Sequence, residues 1–437
     1  MVKVVKFGGS SLADANQFRK VMRIINSEND RKYVIPSAPG KRSAEDIKIT
    51  DLLYRCYETA SKGEDISELF SKITERYNGI INDLGLDLSL DEEFEVIRRS
   101  MIHKAGRDYA ASRGEYLSGI VLANALGYKF IDAADIIFFS EDGTLDTERT
   151  NEAVSEILKK YENAVIPGFY GSMPNDTIKT FSRGGSDITG SIVARAVEAD
   201  LYENWTDVNG FLMADPRVVK NPLTIGKITY RELRELSYMG ATVLHEDAIF
   251  PVRRANIPIN IRNTNHPEQA GTMIVSHSDS YDHQHIITGI AGKHGFSVIT
   301  IEKDMMNSEY GFGRRVLEVL EKERISFEHL PSGIDTMSIV VSSDSIEGRR
   351  ERIIEKLNAA VFPDSVSIED DIALIAVVGR GMKNAKGTAA RVFKAIADAG
   401  INIRMIDQGS SELNIIIGVS ENDFEGSVNS IYQEFVH

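Results

Sequence analysis

Apolar and polar positions alternate in short blocks along the first fifty residues. Val2-Lys3-Val4-Val5-Lys6-Phe7 is an apolar run that predicts a strand, and Gly8-Gly9-Ser10-Ser11 closes it with a turn. Apolar residues then recur at helical spacing from residue 13 to 25. Val34-Ile35-Pro36-Ser37-Ala38-Pro39-Gly40 predicts a second strand that ends in a Pro/Gly turn. Residues 51–127 differ in character. Glu, Lys, Arg and Leu at helical spacing, as in Ser67-Glu68-Leu69-Phe70-Ser71-Lys72-Ile73, predict a helical elaboration. Strand patterns return near residues 136–139, 164–169, 177–181 and 201–205, with a helical pattern over 188–199. Such alternation predicts an α/β sandwich around a mainly parallel central sheet.

Residues 263–285 carry Asn, His, Pro, Gln, Ser, Asp and Gly and predict a boundary, with a short strand possible over 272–275. Beyond it the pattern repeats. Gly311-Phe312-Gly313-Arg314-Arg315-Val316-Leu317 opens an amphipathic helix that leads to Ile325-Ser326-Phe327-Glu328. Gly387-Thr388-Ala389-Ala390-Arg391-Val392-Phe393 opens another that leads to Ile401-Asn402-Ile403-Arg404. Each copy continues into a further apolar strand, near 337–341 and 413–419, which predicts two βαββ units.

Two glycine turns carry candidate chemistry. In Phe181-Ser182-Arg183-Gly184-Gly185-Ser186-Asp187 the glycines let backbone N–H groups approach a ligand, and the helix that follows adds positive potential. Arg183 offers a fork for a carboxylate or phosphate, and Asp187 a charge to hold a cation or a lysine. Lys6 ends the first strand beside Gly8, Gly9 and Ser10, whose amides suit phosphate oxygens. The Walker A glycine spacing is absent.

Lys6-Phe7-Gly8-Gly9-Ser10-Ser11, Gly114-Glu115-Tyr116-Leu117-Ser118, Arg183-Gly184-Gly185-Ser186-Asp187, Trp205-Thr206-Asp207-Val208-Asn209-Gly210 and Asp215-Pro216-Arg217-Val218-Val219 resemble the signatures of the aspartate kinases, in matching order. The likeness runs from residue 2 to about residue 435. The two C-terminal units resemble ACT domains, the second through Val378-Gly379-Arg380-Gly381-Met382 and Ser410-Ser411-Glu412-Leu413-Asn414. The resemblance implies a three-layer amino acid kinase fold over 1–275, a first ACT domain over 286–370 and a second over 371–437. It implies phosphorylation of the β-carboxylate of L-aspartate by MgATP, with no tightly bound cofactor and no protein-held metal. Lys6 and Asp187 are then catalytic. Ser37, Thr50, Glu115, Phe169, Arg183 and Ser186 line the aspartate pocket. Gly8, Gly9, Ser10, Gly184, Gly185, Thr206, Asp207 and Arg217 serve the nucleotide. Met306, Gly311, Phe312, Gly313, Glu328, Ser332 and Gly333 form an effector pocket, whose apolar wall and carboxylate favour lysine over threonine. Thr242, Leu212, Glu246 and Asp247 depart from the residues usual near the nucleotide. Two alternatives stand beside this: another amino-acid kinase, and an amino-acid sensor without catalysis.

A net charge of −15 argues against nucleic acid and anionic membranes as partners, so local positive charge must be built for anionic substrates. Cys56 is the single cysteine, which excludes an intrachain disulfide and suits a reducing cytoplasm. The chain starts in a strand without an apolar leader and ends just past the second ACT-like unit, so a monofunctional enzyme is expected, assembled as a homodimer or homotetramer through its ACT domains.

Overall fold

The computed structural model describes residues 1–182, 184–240, 246–277 and 286–436. The chain forms two compact units. The first comprises Met1–Phe211, Thr224–Tyr230 and Thr242–Ser278; the second comprises Leu212–Leu223, Arg231–Ala241 and Asp279–His437.

In the first unit β1 (Lys3–Phe7) passes through a 3-10 turn, Gly9–Leu12, into α1 (Ala15–Asn26), and β2 (Arg31–Pro36) follows. The Asp14 carboxylate caps α1 by accepting from the Gln17 N–H at 3.0 Å, and Phe18, Val21, Ile24 and Ile25 turn inward. The elaboration resolves into α2 (Ile49–Ser61), α3 (Ser67–Leu84), α4 (Asp91–Ile102) and α5 (Arg107–Leu126), which share one apolar core with α1 and β1. Then come β3 (Lys129–Phe130), α6 (Thr147–Leu158), β4 (Ala164–Val165), β5 (Tyr170–Ser172), β6 (Ile178–Thr180), α7 (Gly185–Ala196), β7 (Leu201–Thr206), β8 (Lys227–Thr229), α8 (Tyr230–Tyr238), α9 (Glu246–Arg254), β9 (Ile259–Asn263) and β10 (Thr272–Val275). From Arg231 onward α8 belongs to the second unit.

The main sheet runs β3-β4-β2-β1-β7-β9-β10-β8. All its pairs are parallel except β9 with β10. The expected sandwich with a mainly parallel sheet is therefore present, and β1 lies at its centre. Three local expectations change. Residues 136–139 are not a strand. The Phe138 N–H is spent on the Thr150 hydroxyl at 3.0 Å, and only isolated bridges form at Phe138 and Phe139. In the run 164–169 the strand itself is only Ala164–Val165; the N–H groups of Ile166 and Gly168 still donate to Val34 O and Pro36 O at 2.9 and 3.2 Å, but Pro167 has no N–H to give and Phe169 takes a φ of 84°. Residues 178–180 pair with β5 in a separate two-stranded ribbon. The strand at 272–275 does form, inside the main sheet.

The second unit holds β11 (Gly289–Glu302), α10 (Phe312–Glu323), β12 (Phe327–His329), β13 (Thr336–Ser342), the short α11 (Ser343–Ile346), α12 (Arg350–Val361), β14 (Ser365–Val378), α13 (Thr388–Asp398), β15 (Met405–Asp407), β16 (Asn414–Ser420) and α14 (Phe424–Val436). The duplication is real and each copy gains a closing helix, α12 or α14. The copies share one antiparallel sheet, β12-β13-β11-β14-β16-β15, with the two first strands paired at its middle. Residue 370 falls inside β14. Residues 401–404 lie outside the ladder, which starts at Met405. Segments from earlier in the chain complete this unit. The Ile290 N–H donates to Met213 O at 2.7 Å, and the Tyr432 hydroxyl accepts from the Leu223 N–H at 2.9 Å. No helix among the described residues is long and apolar enough to cross a membrane.

Candidate functional site

Parallel pairing sets Lys6 beside Ile35 and Asn204, and Phe7 beside Pro36 and Trp205. The turns after β1, β2 and β7 therefore emerge together at the carboxyl end of the sheet, where open α/β folds hold their ligands. These turns are tied to one another. The Gly8 N–H donates to Trp205 O at 3.0 Å, the Ser37 N–H to Phe7 O at 3.0 Å, and the Gly40 N–H to Gly9 O at 2.8 Å. The hydroxyls of Ser11 and Thr264 meet at 2.7 Å, and the Thr264 N–H donates to Thr206 O at 2.9 Å. Gly9 and Gly40 must be glycine because a Cβ on either would lie within 2.8 Å of the other turn's backbone. The expected role of Gly8 as an amide donor changes, since its N–H is already engaged by Trp205. The amides of Gly9 and Ser10 open the 3-10 turn with no side-chain cap.

Lys6 is 8% exposed, and its ammonium lies 2.6 Å from the Asp187 carboxylate in the first turn of α7. Asn204 completes the group. Its Oδ1 lies 3.3 Å from Lys6 Nζ, and its Nδ2 donates to Asp187 Oδ1 at 2.8 Å. The Lys6 ammonium sits under the glycine turn, 3.7 Å from where a Gly8 Cβ would be.

Glu115 projects from the middle of α5 and is 6% exposed. Burial pushes its carboxyl up to about 8, against a partial opposing pull from the Ala38 N–H. Its Oε2 is buried with no hydrogen-bond partner among the described residues. Helix and loop touch here, because a Cβ on Gly114 would fall 2.6 Å from Ala38 Cβ. Ser37 and Thr50, at the foot of α2, are half-buried on the same loop-and-helix wall, where the Ile49 N–H donates to Pro39 O at 3.2 Å.

Phe169 holds a left-handed backbone, rare for a bulky residue. Its N–H donates to the Thr189 hydroxyl at 3.0 Å and its carbonyl accepts from the Phe181 N–H at 3.0 Å. The Gly168-Phe169 turn presses on the start of α7. A Cβ on Gly185 would lie 2.4 Å from the Phe169 ring, and one on Gly168 2.5 Å from the Ser186 hydroxyl. Gly184, with a φ of 57°, opens the helix. Arg183, Thr242 and the side chains of Glu246 and Asp247 lie outside the described residues.

Thr206 ends β7 and Asp207 follows it, half-buried and exposed respectively, and Asn263 braces this turn through Asp207 O and Asn209. Arg217 is in the second unit with Leu212; its guanidinium grips the Asp215 carboxylate through Nε and Nη2, and the side chain is 86% exposed.

In the second unit Gly311 starts α10 with a φ of 75°, and a Cβ on Gly313 would touch Met337. The Asn307 N–H donates to Ile334 O at 3.1 Å, which brings the turn at Met306 to the hairpin of Ser332 and Gly333. Phe312 is 4% exposed and packs with Met306, Val316 and Leu320 in the core, so its ring is not an open pocket wall. The Glu328 carboxylate accepts from the Tyr238 hydroxyl.

Sequence reasoning missed two contributors. Asn204 is polar in the middle of a central parallel strand, where an apolar run is the rule, and that anomaly was the available signal. Arg76 reads as a solvated helix charge. In the fold it is buried, donates to Ala13 O and Gly40 O, and pairs with Asp46 at 2.6 Å, pinning both glycine turns. Asp46 is held far below the usual carboxylate range by hydrogen bonds from Arg42 and the charge of Arg76.

Residues 1–263 match the model of the amino acid kinase family, and residues 375–435 match an ACT domain. Aspartokinase 3 of Bacillus subtilis is 40% identical over 449 residues, covering 99% of this chain and 98% of that protein. The aspartate kinase of Clostridium acetobutylicum, described as an allosteric enzyme, superposes with a TM-score of 0.90 at 52% identity over 99% of both chains. Aspartokinase III of E. coli shares the fold, with a TM-score of 0.72 at 24% identity across the whole of both chains.

Proposed function

The chain belongs to the aspartate kinases, and we infer from that premise which of its groups carry the transfer of the γ-phosphate of ATP to the β-carboxylate of L-aspartate. The observation that carries the assignment is Glu115, a buried carboxylate whose Oε2 has no partner among the described residues and whose burial leaves it in want of a cation. An amino-acid ammonium answers that need.

The β-carboxylate of aspartate is ionised at neutral pH and needs no general base. The task is to hold it in line with the phosphoryl group and to neutralise the charge that spreads over the transferring oxygens. Lys6 supplies that charge from beneath the glycine turn. Asp187 fixes its ammonium, and the amides of Gly9 and Ser10 add donors. Glu115 takes the substrate ammonium, Arg183 its α-carboxylate, and Ser37, Thr50, Phe169 and Ser186 shape the pocket. ATP enters as its Mg2+ complex, with Gly184, Gly185, Thr206 and Asp207 on its side. The product, 4-phospho-L-aspartate, feeds lysine, threonine and methionine synthesis.

The two C-terminal repeats are read as an ACT pair that senses an end product, with the division at 275 and 370 refined by the segments the second unit draws from 212–223 and 231–241. Lysine is the proposed effector, its ammonium directed to Glu328, and assembly through the ACT sheets into a homodimer or homotetramer in the cytoplasm completes the reading. A coupled assay with MgATP and L-aspartate, L-glutamate or N-acetyl-L-glutamate tests substrate choice. Turnover is expected with aspartate alone; a preference for N-acetyl-L-glutamate, which has no ammonium, overturns the role of Glu115, and a preference for L-glutamate overturns the choice of aspartate as substrate. Absence of inhibition by millimolar lysine removes the effector and leaves the kinase.

A further inference from the structure

Asn204 stands between the two charged members of the centre. It is 4% exposed and is the register partner of Lys6 across the β1–β7 pair. Its amide orientation is fixed by chemistry, because an ammonium can only donate and a carboxylate only accept. Oδ1 must therefore face Lys6 Nζ, at 3.3 Å, and Nδ2 must face Asp187 Oδ1, at 2.8 Å. Lys6 and Asp187 also meet directly at 2.6 Å, so the three groups close a triangle.

A lysine ammonium has three N–H donors. Among the described residues Asp187 takes one and Asn204 a second, and the third is open to an incoming oxygen. Without Asn204 the ammonium keeps its charge and its partner but gains freedom to rotate about the Asp187 contact. Asp187 would also lose a donor that restrains its carboxylate. We propose that Asn204 is a positioning residue for phosphoryl transfer, which locks the Lys6–Asp187 pair so that the remaining Lys6 N–H is aimed at the transferred group. This rests on the reading of Lys6 as the residue that meets that group. Neither the glycine turns nor the aspartate pocket includes Asn204, and among the described residues its side-chain bonds reach Lys6 and Asp187.

A carboxylic acid in its protonated form reproduces the amide: its O–H donates to Asp187 and its C=O accepts from Lys6. Once ionised it cannot donate, and it competes with Asp187 for the lysine. Asn204→Asp is therefore a pH-gated mimic, whereas Asn204→Leu keeps the shape and removes both bonds. The experiment measures kcat and KM for both variants, wild type and Lys6→Ala from pH 5.5 to 9, with thermal melts to follow folding. For Asn204→Leu, kcat is expected to fall about ten- to a hundredfold while KM for aspartate and MgATP stays within about threefold. For Asn204→Asp, the ratio of its kcat to that of wild type is expected to rise steadily as pH falls. Three results overturn the proposal. They are an unchanged kcat in Asn204→Leu while Lys6→Ala is inactive, a pH-independent ratio for Asn204→Asp, and loss of cooperative melting in both variants, which would give Asn204 to the fold alone. Normal kcat in a folded Lys6→Ala protein would instead refute the underlying reading of Lys6.

Discussion

Burial and charge conflict most sharply at Glu115. An acid whose folded value is about 8, against an ordinary 4.5, holds a proton in the folded protein that the unfolded chain has released. Between those values the native state binds more protons, so the stability of the empty enzyme falls as pH rises from about 4.5 to about 8 and levels off above. Glu115→Gln is neutral throughout. The variant is expected to melt higher than wild type at pH 8.5 when both are empty, and thermal denaturation across pH checks it. The same substitution is expected to raise KM for aspartate by about ten- to a hundredfold, the worth of a hydrogen bond to a charged group. On the proposed reading aspartate brings the cation that favours ionised Glu115, so its KM in wild type is expected to fall as pH climbs toward 8. At Lys6 the effect belongs to kcat. Lys6→Ala is expected to lose about a hundred- to a thousandfold in turnover with the fold intact, read by steady-state kinetics beside a melting curve.

Turns and helices show how tightly the site is framed. Gly40→Ala would place a methyl 2.7 Å from Gly9 C, against backbone that cannot step aside. A cost of about 1–3 kcal/mol is expected in denaturant unfolding, together with weaker turnover. Gly79 is its control. It lies inside α3 with nothing within 4 Å of an added Cβ, so Gly79→Ala is expected to stabilise by about 0.5–1 kcal/mol and leave kcat alone. This contrast also marks what was legible in the chain. The strand–glycine–helix order around Lys6 and Asp187 announced the carboxyl-end turns, because local pattern dictates them. The back-to-back contact of Gly9 with Gly40 was hidden, since it depends on which strands lie side by side. Asn204 and Arg76 were hidden for the same reason, their partners being distant in sequence. The run at 136–139 looked like a strand until Thr150 claimed the Phe138 amide.

At the scale of the whole molecule, regulation must begin from contacts that already exist. The Tyr238 hydroxyl occupies Glu328, and the Lys293 ammonium lies 5.1 Å from the Tyr238 ring centroid. On the proposed reading, the effector's ammonium is expected to compete with that hydroxyl for the carboxylate. Tyr238→Phe is expected to lower the lysine concentration for half inhibition by about three- to tenfold, whereas Glu328→Ala raises it; inhibition curves at fixed aspartate and ATP decide both. The polypeptide passes from one compact unit to the other after residues 211, 223, 230, 241 and 278. A protease that nicks any one of these passages leaves the halves joined by the others. Anyone seeking a deregulated enzyme by cutting the gene at residue 278 would strip the 212–223 and 231–241 segments of their surroundings rather than release a finished catalyst. Transplanting feedback control into another kinase would likewise mean grafting three separate stretches at once.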